Sequence, residues 1–159
     1  MEDAAGNRFH GVVTGDFGSR EVRYVFPKKG WVYDLVDGKA YGNVKEVKAS
    51  YGKGRPHGFV QLATPTGMRG LFDEGRRVRI DCGGKADTVV RVQVFRPDGT
   101  EATCYAANVL ARGGKAVYEV PFALSDPSGD WKVTAANILG SASASCSLPF
   151  RRGSDADVH

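Results

Sequence analysis

Few residues of this chain have types and spacings that could do chemistry. Asp34 and Asp37 lie close together, and a pair of carboxylates facing each other across a cleft is what a glycosidase requires. Asp37, however, opens an Asp37-Gly38 turn signal while Asp34 falls in an alternating strand, so the sequence predicts a turn acid and a strand-face polar group. His10 and His57, each near glycine, are the non-terminal histidines. A nucleophilic enzyme needs serine or cysteine beside such a base, and no Gly-x-Ser-x-Gly elbow occurs. If the first and last strands of the N-terminal half pair, His10 and His57 meet. A metal site, or a small hydrolase built on His10, His57 and Asp34, then becomes the sharp reading, against ordinary surface histidines. Asp126-x-Ser128-x-Asp130 spaces oxygens as a calcium loop begins. Pro127 stiffens that segment, Trp131 follows at once and no bidentate glutamate comes later, so a structural turn is expected, with no metal or cofactor. Gly113-Gly114 reads as a hairpin and not as a phosphate loop.

The elements that must position these residues are strands. Val90, Val92 and Val94 alternate with Arg91 and Gln93 before the Pro97-Asp98-Gly99 turn, and short period-two runs between Gly/Pro/Asp turns recur to Phe150. The 159 residues hold 42% hydrophobic side chains, 21 glycines and 7 prolines, without a long apolar run. These features predict an all-β chain of two small antiparallel β-sandwich units, the second Ig- or fibronectin-III-like, with no membrane span. The expected boundaries are a small antiparallel β-domain over 8–64, a linker over 65–74, an Ig-like sandwich over 75–150 and a frayed tail over 151–159. Within the first unit, strands are expected on both sides of a Pro27-Lys28-Lys29-Gly30 turn.

Parity assigns faces. Val78, Ile80 and Cys82 point one way and Arg77, Arg79 and Asp81 the other; Ala144, Cys146 and Leu148 point in while Ser143, Ser145 and Ser147 point out. Cys82, Cys146 and Trp131 are therefore structural core residues. The 3 cysteines cannot all pair internally, and two buried thiols are expected over a Cys82–Cys146 bridge. No Cys-x-x-Cys supports zinc. The net charge of +4 is scattered, which argues against nucleic acid as a partner. Arg77 and Arg79 share an outward face that reads as a solvated or domain-docking surface before a polyanion site.

One class of binding remains. Trp31, Tyr41 and Tyr51 are the candidate aromatics for a glycan platform. Because Trp31, Tyr33 and Leu35 share one strand face, that face is expected to pack inside, leaving Tyr41 and Tyr51 more exposed.

Pro121-Phe122-Ala123-Leu124-Ser125-Asp126-Pro127-Ser128-Gly129-Asp130-Trp131-Lys132-Val133-Thr134, with Asn108-Val109-Leu110 and Gly113-Gly114-Lys115-Ala116 before it, resembles the Ig-like β-sandwich repeated in large bacterial extracellular proteins. Macroglobulin-like chains and accessory regions of carbohydrate-active enzymes carry such modules. Tyr24-Val25-Phe26-Pro27 with Val32 to Gly42 is similar to the C-terminal β-domain behind the barrel of β-galactosidase-like glycosidases. The resemblance covers about two thirds of the chain and lacks any catalytic region. It implies a non-catalytic accessory module whose partners are other domains of a parent protein, with glycan as a further candidate. Met1-Glu2-Asp3-Ala4-Ala5-Gly6 has neither the basic nor the apolar part of a secretory leader. Read literally that means the cytoplasm; read as a piece of a longer secreted protein, which is favoured, it means an extracellular or periplasmic location.

Overall fold

A computed structural model describes residues 2, 6–13, 20–51, 56–140 and 142–152. They form an all-β chain of three antiparallel sheets with one short 3-10 turn at Thr103–Tyr105. Among the described residues, no helix is long and apolar enough to cross a membrane. The chain divides into two compact units, Met1–Pro65 with Ile138–Ser141, and Thr66–Asn137 with Ala142–His159.

The first unit holds β1 (Arg8–Val13), β2 (Arg20–Asp34), β3 (Ala40–Tyr51) and β4 (Pro56–Leu62) in the order β1-β4-β2-β3. Phe26, Val32, Val47 and Phe59 are the buried centre of one face, with Val12, Val22, Tyr24, Tyr41 and Val44 against them. The expected turn at 27–30 is not a turn. β2 runs straight through it, and between the Val25↔Glu46 and Gly30↔Val44 pairs Phe26 to Lys29 stand against Lys45 alone. Pro27 has no N–H for the ladder, so it sits where the ladder is already broken. The Gln61 side-chain amide donates to the Lys28 carbonyl at 2.7 Å and holds this bulge from β4. Facing assignments at the end of β2 also differ from expectation. The core centre lies on the Val32 side; Tyr33 is buried on the other face, as are Val60 and Leu62, while Leu35 is exposed. Simple alternation fails here because β2 is covered on both faces.

The second unit holds β5 (Gly70–Glu74), β6 (Arg77–Asp81), β7 (Thr88–Phe95), β8 (Ala107–Ala111), β9 (Lys115–Glu119), β10 (Gly129–Asn137) and β11 (Ser143–Phe150). Sheet β5-β6-β9 and sheet β11-β10-β7-β8 enclose one core. Its members follow the alternation: Val78 and Ile80 from one sheet, Val90, Val92, Val94, Trp131, Val133 and Leu148 from the other. Full burial of each such side chain contributes about 1.5–3 kcal/mol. Part of the segment read as a linker, Gly70–Glu74, is β5 and pairs with β6. Gly113-Gly114 is a tight turn closed by the antiparallel Arg112–Lys115 bridge, but the strands it joins continue in different sheets. β8 pairs with β7 and β9 with β6, so the two glycines carry the chain from one sheet to the other. Gly114 has φ +76, and a Cβ on it would lie 2.0 Å from the Gly84 carbonyl oxygen. Asn137 closes this end of the unit, donating to Thr66 Oγ1 at 2.9 Å and to the Gly67 carbonyl at 2.8 Å.

Candidate functional site

Asp34 is the last residue of β2, and its backbone N–H donates to the Lys39 carbonyl at 2.8 Å to close the hairpin into β3. Its Oδ1 accepts the N–H groups of Val36 at 2.8 Å and Asp37 at 3.0 Å. An Asp side chain that bonds the backbone two and three residues on makes the turn locally self-sufficient. Gly38, at φ +63, completes it. The Leu35 N–H donates to the Gly58 carbonyl at 2.8 Å, tying the turn to β4.

β4 then presents a histidine to this turn. Asp34 pairs with Phe59, so Phe59 lies on the Asp34 side of the sheet, and by alternation so does His57. One donor atom each from Asp34, Asp37 and His57 fall within 4.8 Å of one another. Asp34 is 0% exposed, His57 6%, and Asp37 is exposed. Asp34 Oδ2 is buried without a hydrogen-bond partner. Tyr41 stands close by, with its ring edge-on to Phe59 and the Lys39 ammonium 4.8 Å from its centroid. Burial, and then the charges of Asp34 and Asp37, push its hydroxyl above the usual tyrosine range.

β1 pairs with β4, and His10 lies opposite Phe59 and His57 opposite Val12, so the two histidines are diagonal neighbours on one face of the sheet and not a directly facing pair. His10 Nδ1 and the Tyr24 hydroxyl are 3.0 Å apart, and the ring packs edge-on against Tyr24 and Phe26. Burial above all, with a smaller effect from the charge of Arg8, lowers its basicity. Neither histidine is a surface residue, contrary to expectation, because the β1–β4 register turns both toward the apolar face. The residue missed as a partner for His57 is Asp37. The loop-like composition around Pro56 and Gly58 hid that His57 lies in β4, and the register that sets β4 beside β2 was not visible in the sequence.

The remaining sequence candidates separate. Trp31 is half-buried on the Leu62 side of the first sheet, whereas Tyr41 is half-buried on the Phe59 side, less exposed than expected. The two rings therefore share no surface. Tyr51 ends β3, and its side chain lies outside the described residues. Cys82 is buried in the second core, Cys146 packs against it, and both are free thiols, as is the exposed Cys104. Burial, then Asp81, raises the Cys82 thiol; burial, then Asp73, raises that of Cys146. The 126–130 segment leads from a turn, to which Asp126 belongs, into β10, where Gly129 and Asp130 are already paired with β11. The Asp126 carboxylate accepts the Tyr105 hydroxyl and the Ala123 N–H, and the Trp131 indole N–H donates to the Pro127 carbonyl at 3.0 Å. A depression of about 450 Å³ beside it is lined by Phe95, Pro97, Asp130, Lys132 and Thr134 among others, a set without histidine or cysteine. Arg77 donates to Glu119 at 3.1 Å and Arg79 to Glu74 at 2.8 Å, so carboxylates already compensate both charges.

Comparison with protein-family models, with curated proteins and with solved structures returned no match to this chain.

Proposed function

We propose that the chain is a non-catalytic accessory or spacer module of a larger carbohydrate-active or surface protein, outside the cytoplasm, acting by position and by contact with neighbouring domains. The observation that carries this reading is the outer face of β5-β6-β9. Phe72, Arg79 and Val117 occupy one row across the three strands, with Glu74, Arg77 and Glu119 in the next row on that face. The Arg79 guanidinium lies 4.3 Å from the Phe72 ring centroid while bonding Glu74. An aromatic ring, an arginine and a β-branched residue within a charge-compensated border match the composition of protein–protein contact surfaces. The same compensation leaves little free positive charge for a polyanion. Two facing sheets of three and four strands, linked by crossings between them, also support the Ig- or fibronectin-type reading of the second unit.

Two measurements on protein from its natural source test the proposal. Intact mass should exceed the 17.1 kDa of these residues because further domains are attached. Photo-crosslinking from position 72 should join that face to another domain of the same polypeptide, while position 145 on the opposite sheet gives no product. A natural product of 17.1 kDa, or equal crosslinking from both positions, overturns it.

A further inference from the structure

We propose that Asp34, Asp37 and His57 form a binding site for one borderline divalent cation of the zinc class, which clamps the β2–β3 turn onto β4. The inference is independent of the positional role above. It stands on two observations. The first is convergence: a carboxylate oxygen from each aspartate and an imidazole nitrogen lie within 4.8 Å of one another. Ligands about 2.0–2.1 Å from a tetrahedral ion sit roughly 3.4 Å apart, so binding asks for a closure on the order of an ångström. Asp37, exposed in the turn, can supply that by a side-chain rotation.

The second is the state of the Asp34 carboxylate. Oδ1 is occupied by the Val36 and Asp37 amides, which fix the plane of the group. Oδ2 is buried and has no hydrogen-bond partner, on a side chain that is 0% exposed. A buried carboxylate oxygen without a hydrogen bond is unfavourable, and a coordinated cation would supply the missing partner. The amides thus act as the outer support that holds a metal-binding carboxylate in place.

Donor chemistry selects the ion. Calcium and magnesium take oxygen ligands, whereas a mixed imidazole–carboxylate set suits zinc and its first-row neighbours. Three protein donors leave the fourth position, on the exposed Asp37 side, for water.

The test uses the untagged chain in a Cys104→Ser background, stripped with chelator and dialysed against Zn2+, then Co2+. The expected result is one Zn2+ per chain, with visible Co2+ bands of tetrahedral type and no competition from Ca2+ or Mg2+. Asp37→Asn, which lies outside the core, and His57→Gln should each weaken Zn2+ binding by roughly tenfold or more. His10→Gln should leave it unchanged. Should His57→Gln fail to fold, Asp37→Asn alone decides. No bound Zn2+, unchanged affinity in folded Asp37→Asn, equal loss in His10→Gln, or preference for Ca2+ overturns the proposal.

Discussion

Replacing Gly30 by alanine should destabilise the first unit through one identifiable contact. A Cβ there would lie 2.7 Å from Gln61 Cγ and 3.0 Å from its Cδ and Nε2, inside any real carbon contact. Gln61 is buried and cannot swing away without giving up its 2.7 Å bond to the Lys28 carbonyl. Overpacking costs about 1–3 kcal/mol, and losing a buried amide bond about 1–3 more, so Gly30→Ala should cost roughly 2–6 kcal/mol. In a Gln61→Ala background the obstacle is gone. Gly30 is not in the left-handed region, so the same substitution there should be neutral or stabilise by about 0.4–1 kcal/mol through a less flexible unfolded chain. The double-mutant cycle therefore carries a coupling of about 2 kcal/mol or more and a change of sign. Urea titrations followed at the Val32 and Val60 amide resonances would read it, the single substitution shifting the midpoint by on the order of 1–3 M. Equal cost of Gly30→Ala in both backgrounds would refute the contact, and with it the β2–β4 register that sets His57 beside Asp34.

Three further outcomes are expected. Gly113→Ala and Gly114→Ala both place a side chain at positive φ, at about 1–2 kcal/mol each, but only the second drives a Cβ into the Gly84 backbone. Calorimetry should show a modest fall in Tm for Gly113→Ala and a far larger one, or no folded second unit, for Gly114→Ala. Tyr105→Phe removes the bond to Asp126 and should cost about 1.5–3 kcal/mol at neutral pH. That bond, then burial, raises the Tyr105 hydroxyl above its unfolded value. Its contribution is fully present below about pH 10 and lost as pH rises through the folded value, so in chemical denaturation the gap between variant and wild type should narrow in that window. A disulfide reagent should modify Cys104 rapidly in the native protein, Cys146 slowly and Cys82 only on unfolding; fast reaction at Cys82 would contradict its place in the core.

The second unit was legible because its strands follow one rule. Period-two alternation placed Val78, Ile80, Cys82, Trp131 and Leu148 in one core before any coordinates, since a sheet covered on one face sorts side chains by parity alone. Asp126 was readable as a turn acid for a similar reason, because proline, glycine and aspartate act within a few residues of themselves, whereas Asp130 lies in β10. The first unit was less transparent where β2 is covered on both faces and carries a bulge: the Trp31 face buries Tyr33 as parity expected, but Leu35 is exposed, the opposite face also holds buried residues, and a turn was expected at Pro27. The site followed the same division. Asp37 in a turn and Asp34 in the strand before it were local information. Bringing His57 to them, and leaving His10 to Tyr24, required the register of β4 against β1 and β2. Sequence encodes which residues alternate; which strand lies beside which is decided by long-range packing, and only that places a histidine next to a buried carboxylate.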